Sequence, residues 1–146
     1  VNVQDWIDDI LAIAAALKVG EDAAFAAVHD EPFDDSEDYP CFVIDPDSIT
    51  DEPVTQDEYP TSPYRRITEV YILADCSDDT RAARKTVYQA IDERVNLFVE
   101  RLKEDYFSQE LLLLSRAYPQ FKIGGNTVMA CRLRFSVLFY DEQKTI

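Results

Sequence analysis

The sequence predicts an α+β fold: a single mostly antiparallel β-sheet, an N-terminal helix and one long helix packed on a face, and a C-terminal β-hairpin. Three observations carry this expectation. Residues 80–106 place apolar side chains on one helical face. The last strand alternates Met129, Cys131, Leu133, Phe135, Val137 and Phe139 with Ala130, Arg132, Arg134, Ser136 and Leu138. Gly124-Gly125-Asn126, just before it, supplies the positive-φ turn of a hairpin.

Taken in order, VQDWIDDILAIAAALK opens the chain as a helix. Trp6, Ile10, Ile13 and Leu17 recur at helical spacing, Asp5, Asp8 and Asp9 lie near the positive end of its dipole, and Gly20 is placed to end it. In EDAAFAAVHDE apolar residues alternate with small ones over 25–28, which favours a strand over a second short helix. YPCFVIDP gives a strand at 41–44, bounded by Pro40 and Pro46. Residues 45–63 carry four prolines and no core-forming periodicity, and are expected as a long acidic loop. YRRITEVYILADC reads as a long strand whose two faces are both apolar over 70–73, so it belongs in the centre of the sheet. Asp78, Asp79 and Thr80 form an N-cap cluster for the helix over 80–106, with the stripe Ala83, Val87, Ile91, Val95, Phe98, Leu102 and Tyr106. Ser108-Gln109 breaks that helix. ELLLLSRAY is expected as a buried strand, and FKIGGNTVMACRLRFSVLFYDE as the closing hairpin.

Length and composition fit one domain over residues 1–146. At 146 residues with an apolar fraction of 47%, the chain is long enough to bury about 68–70% of its unfolded surface. The net charge of −15 weighs against sequence-independent binding to a phosphate backbone, so no specific nucleic-acid binding is expected. Residues 1–64 hold 17 acids against one base, Lys18, while the remainder is nearly balanced. Such polarity suits heterologous contact between copies. Cys41, Cys76 and Cys131 lack framework spacing and read as buried reduced thiols. No signal-peptide pattern is present, and the longest apolar run, ILAIAAAL, is too short to span a bilayer, so a soluble product made in a cell's cytoplasm is expected.

Chemistry-bearing constellations are few. DPDSITDE places Ile49 at the third ligand position of a calcium loop and Thr50 where the sharp-turn glycine belongs, so its carboxylates read as solvated. The single histidine, His29, lies away from any Ser-Gly or Cys motif and reads as a surface residue. Zinc spacing and glycine-rich phosphate loops are missing, and paired carboxylates sit in a segment with no implied cleft. The expectation is a protein that is not an enzyme and needs no cofactor or metal. The basic residues Arg65, Arg66, Arg132 and Arg134 have two readings. One is cross-strand pairing, for instance with Glu69; the other is contact with the acidic loop of a neighbouring copy.

The layout resembles the tail terminator and tail completion (neck) proteins of tailed bacteriophages. The resemblance rests on the helix DWIDDILAIAAAL, the strand and loop YPCFVIDPDSITDEP, the strand RRITEVYILAD, the helix TRAARKTVYQAIDERVNLFVERL and the final strand RLRFSVLFYDE. It implies a virion structural protein that forms a six-membered ring, caps the tail tube and joins it to head–neck connector proteins, with DNA passing through the lumen. Head-completion proteins share the layout, and an acidic DNA-mimic inhibitor is the alternative from another class. On the ring reading Asp45, Asp47, Asp51 and Glu52 meet the arginines of the next copy, and neutralising all four leaves the fold intact.

Overall fold

The structure, a computed structural model, describes residues 1–33, 38–54, 61–76 and 80–142. It is α+β, with the two expected helices and a mixed, mostly antiparallel sheet. Helix α1, Val3–Ala16, starts at Asn2, whose side chain accepts the Asp5 N–H. It stops at Leu17, which is already extended. Gly20 does not end the helix. With φ of +65° it turns the chain between two short strands, β1 (Lys18–Val19) and β2 (Asp22–Ala23).

The expected strand near Phe25 is β3, Ala27–His29, and it runs parallel to the next strand, β4. Strand β4, Cys41–Pro53, is the main departure from the sequence reading. Over 45–53 the chain is a strand rather than a loop: Asp45 pairs with Glu69, and Thr50 to Pro53 pair with Ile67 to Tyr64. The pairing survives the prolines because of a bulge between Asp45 and Thr50. Pro46, which has no N–H to give, sits in that bulge, and Pro53 closes the strand. Residues 55–60, and with them Asp57 and Glu58, lie outside the described residues, as do 34–37 of the preceding acidic run.

Strand β5, Thr61–Asp75, is central as expected, lying third in the order β3-β4-β5-β8-β6. Helix α2, Arg81–Tyr106, begins with the Thr80 hydroxyl accepting the Ala83 N–H at 3.2 Å; Asp78 and Asp79 lie outside the described residues. Ile91, Val95, Phe98, Val99 and Leu102 form its buried side. A 3-10 turn over Phe107–Gln109 follows, and Glu110 at φ of +47° redirects the chain into β6, Leu112–Ala117. β7, Gln120–Ile123, and β8, Asn126–Glu142, form the hairpin. Its two-residue loop is Gly124-Gly125, both at positive φ, and Asn126 already belongs to the strand.

Both helices cover one face of the sheet. Phe42 lies 4.9 Å from Phe98, Phe98 6.0 Å from Phe135, and Trp6 5.3 Å from both Tyr106 and Phe139, measured between ring centroids. The Trp6 indole N–H donates to the Thr68 hydroxyl at 3.0 Å, so the largest core side chain is held by a specific hydrogen bond. Met129, Cys131, Leu133, Phe135, Val137 and Phe139 all face this core. All three cysteines are buried as free thiols. The opposite face carries a smaller cluster in which Cys41, Val43, Leu73, Val128 and Ala130 lie beneath Phe33, Tyr71 and Phe121.

β6 contradicts its expectation. It is a strand, but every residue from Leu112 to Arg116 is exposed. As the last strand in the order it has, among the described residues, a neighbour on one side only, and a bulge between Leu113 and Ser115 breaks its alternation. Runs of leucine mark burial only when something lies on both sides.

Candidate assembly surface

A trough on the open face of the sheet gathers four of the eight residues singled out in the sequence: Asp45, Asp47, Arg132 and Arg134. On β4, the bulge is built by local polar contacts. Asp45 Oδ1 accepts the Asp47 N–H at 3.0 Å, and the Ser48 hydroxyl donates to the Asp45 carbonyl at 2.7 Å. The same hydroxyl accepts the Glu69 N–H at 3.0 Å, replacing a ladder bond that the bulge breaks. This arrangement holds Asp45 and Asp47 at the rim of an open trough floored by Glu69 and bounded across the sheet by Arg132, Arg134 and Ser115.

Arg134 stands opposite Glu69 and Arg132 opposite Tyr71 in the β5–β8 ladder. Neither arginine makes an ion pair within 4.0 Å among the described residues. Cross-strand register with Glu69 is therefore present without the charge contact that one sequence reading assigned to it. Glu52 lies opposite Arg65 on the same face, yet Arg65 turns elsewhere.

Arg65 and Arg66 serve the fold. Arg65 reaches the Glu110 carboxylate at 3.0 Å and the Glu110 carbonyl at 3.1 Å, tying β5 to the turn after α2. Arg66 is 3% exposed and binds both oxygens of Asp51, at 2.7 and 2.9 Å. Its guanidinium also donates to the Val1 carbonyl at 2.9 Å and lies 5.5 Å from the Tyr64 and Phe139 ring centres. Asp51 is thus committed to its own chain. That bonding sets it apart from Asp45 and Asp47 among the acids singled out in the sequence. The alternation of β4 settles this: Asp51 pairs with Arg66 on the helix-covered face, whereas its neighbours Thr50 and Glu52 point the other way.

His29 is also corrected. It is half-buried, and the parallel β3–β4 pairing puts its Nε2 3.6 Å from Cys41 Sγ. Its Nδ1 accepts the Glu31 N–H at 3.2 Å, which assigns the proton to Nε2. That tautomer donates to the sulfur instead of drawing a proton from it, and Cys41 is fully buried. The pair therefore holds two strands together and is not arranged as a nucleophile and base.

Other titrating groups follow from burial. The Cys131 thiol is pushed up to about 11, chiefly by desolvation, which keeps it protonated. Tyr118 is pushed up to about 12 by burial and by its hydrogen bond to Asp92 at 2.7 Å. Tyr106 is raised to about 12 by burial, with Asp9 and Asp105 adding to it. Among the described residues no group of three or more His, Cys, Asp or Glu is placed to hold a metal ion, and no helix is long and apolar enough to cross a membrane.

At the opposite margin, and not among the residues singled out in the sequence, Leu112, Leu113 and Leu114 are each 42–45% exposed and Phe107 is 82% exposed. The uninterrupted LLLL was the available signal, and it was read as burial. Comparison of the chain with known protein families and with characterised proteins found no match.

Proposed function

We propose that this chain is a structural subunit that assembles head-to-tail into a closed ring, in the manner of the phage tail terminators its layout resembles, capping a tail tube and meeting a head–neck connector. One observation carries the reading. The open face of the sheet displays Asp45 and Asp47 at one side and Arg132 and Arg134 toward the other, and among the described residues neither arginine makes an ion pair. Ring closure requires two unlike, complementary surfaces on every copy, and these supply them without any catalytic group. Residues held on strands also keep their geometry at a seam better than residues on a loop would.

The test is to add the purified protein to polymerising tail-tube subunits and measure tube length by negative-stain microscopy. Arrested growth with protein at one tube end supports a terminator. Binding to connector rings without effect on tube length supports the head-completion role of the same layout. A protein that does neither sinks the reading.

An acidic DNA mimic is the second reading, favoured by one finding: Asp45, Asp47 and Glu52 sit on a rigid strand rather than a loop. Displacement of DNA from a nuclease, with no ring formed, would select it over the ring.

A further inference from the structure

The two margins of the sheet differ in a way that specifies how copies join. At one margin β6 offers an unpaired backbone edge with Leu112, Leu113 and Leu114 exposed along it and Phe107 beside it. No charged or proline gatekeeper interrupts those three leucines, which is unusual for an edge strand. At the other margin β3 covers β4 only from Cys41 to Val43. Beyond that point β4 is itself the edge among the described residues, and it carries Asp45, Asp47 and Glu52.

From this we infer that the β6 edge of one copy takes the β4 edge of a second copy, so that the sheet continues from subunit to subunit. The inference deepens the ring reading and names its seam. Three features of the chain point to this occupant. First, direction: β6 is antiparallel to β8, β8 to β5, and β5 to β4. β6 therefore runs opposite to β4, and a second copy set edge-on in the same orientation presents β4 antiparallel to β6. Second, level: Leu112 pairs with Ser136, Ser136 with Ile67, and Ile67 with Thr50, so Leu112 and Thr50 lie on one row across the sheet. Third, charge: Arg132 and Arg134 lie on β8 next to β6, on the same face of the sheet as Asp45 and Glu52 at the edge of β4. With strands about 4.8 Å apart, the incoming Asp45 would sit two strands from Arg134, a gap of roughly 10 Å between Cα atoms that the two side chains span.

An apolar match accompanies these. The start of α1 lies beside β4, since Arg66 bonds both Asp51 and the Asn2 carbonyl, and Val3 there is 42% exposed. A two-fold pairing of β6 with itself would satisfy the leucines but leave the acidic margin without a partner. The head-to-tail seam uses both margins, and being heterologous it propagates from copy to copy, into a ring where the rotation at each seam closes.

Disulfide cross-linking reads the seam directly, because the native cysteines are all buried. Leu112→Cys is mixed with Thr50→Cys or Glu52→Cys under mild oxidant. The expected result is a cross-linked dimer in the mixture and none from either variant alone, with a ladder of larger species from Leu112→Cys/Thr50→Cys in one chain. Leu113→Lys should shift sedimentation to monomer while the urea midpoint stays that of wild type. Self-cross-linking of Leu112→Cys alone would replace the seam by a two-fold contact and overturn it. An oligomer that forms no cross-link at these positions would overturn the seam while leaving the ring standing. A protein monomeric at every concentration, and on tube ends, overturns both.

Discussion

Asp51→Asn separates the acid bonded within the fold from those proposed to serve assembly. In the wild type, Arg66 is almost wholly buried and its guanidinium meets the Asp51 carboxylate through two hydrogen bonds of 2.7 and 2.9 Å. Breaking a fully buried ion pair costs about 3–5 kcal/mol, and losing an exposed one costs about 0–1 kcal/mol. The Asp51 side chain is 40% exposed, and the guanidinium keeps the Val1 carbonyl and two aromatic rings when the carboxylate is neutralised. The loss is therefore about 2 kcal/mol. At roughly 3 °C per kcal/mol for a domain of this size, Tm falls by about 6 °C, and the urea midpoint drops by about 1 M at a slope near 2 kcal/mol per M. Trp6, the only tryptophan and fully buried, reports unfolding by fluorescence without a label. Asp45→Asn and Asp47→Asn should stay within about 0.5 kcal/mol of wild type. If Asp51→Asn unfolds at the wild-type midpoint, or if all three variants fall together, the division between structural and assembly acids is wrong.

Two further outcomes follow from the core. Thr68→Val strands the Trp6 indole N–H without an acceptor, which should cost about 1–2 kcal/mol in urea unfolding; unchanged stability would show that water or another acceptor replaces the hydroxyl. Alkali should destabilise the protein through Cys131, whose folded value of about 11 lies above the ordinary 9. The neutral thiol is favoured in the fold, so its contribution is fully present below pH 9 and is lost as pH rises through 11. At about 1.4 kcal/mol per unit the total is of order 2–3 kcal/mol. Cys131→Ala should flatten the stability–pH curve over that window, and an unchanged slope would assign the alkaline loss elsewhere.

How far the sequence could be read depended on whether a segment's environment was written into its own residues. Helix α2 declared itself, because its stripe and Thr80 cap are local features. The hairpin did too, since Gly124-Gly125 tolerates the positive φ that a two-residue hairpin loop requires. β4 beyond Ile44 was misjudged because Pro46 and Pro53 argue against a strand locally, while the bulge that accommodates Pro46 exists only through Ser48 bonding across to Glu69. β6 was misjudged for the opposite reason: LLLL states that the strand seeks apolar contact but not whether its own chain provides it. Arg66 and Arg134 illustrate the same limit, being alike in sequence and opposite in role. Arg66 falls on the helix-covered face against Asp51, and Arg134 on the open face, a distinction that needs the register of three strands.

The charge of the chain then bears on assembly in two separate ways. Each copy carries −15, so bringing two together is opposed at long range, an opposition that physiological salt screens beyond about 8 Å. At the proposed seam, local pairs between Asp45 or Asp47 and Arg134 would be exposed and would contribute about 0.2–1 kcal/mol each. Leu112, Leu113 and Leu114 are nearly half exposed, and burying what remains of three leucines is worth of order 2–4 kcal/mol at about 1.5–3 kcal/mol for each full side chain. At the proposed seam the leucines and the strand backbone would therefore hold the contact, while the charges would decide which margin meets which. Leucine gives affinity without direction: by itself it would join β6 to β6 as readily as to β4. On the proposed seam it is the acidic margin that would make the contact heterologous, as a ring of more than two copies requires.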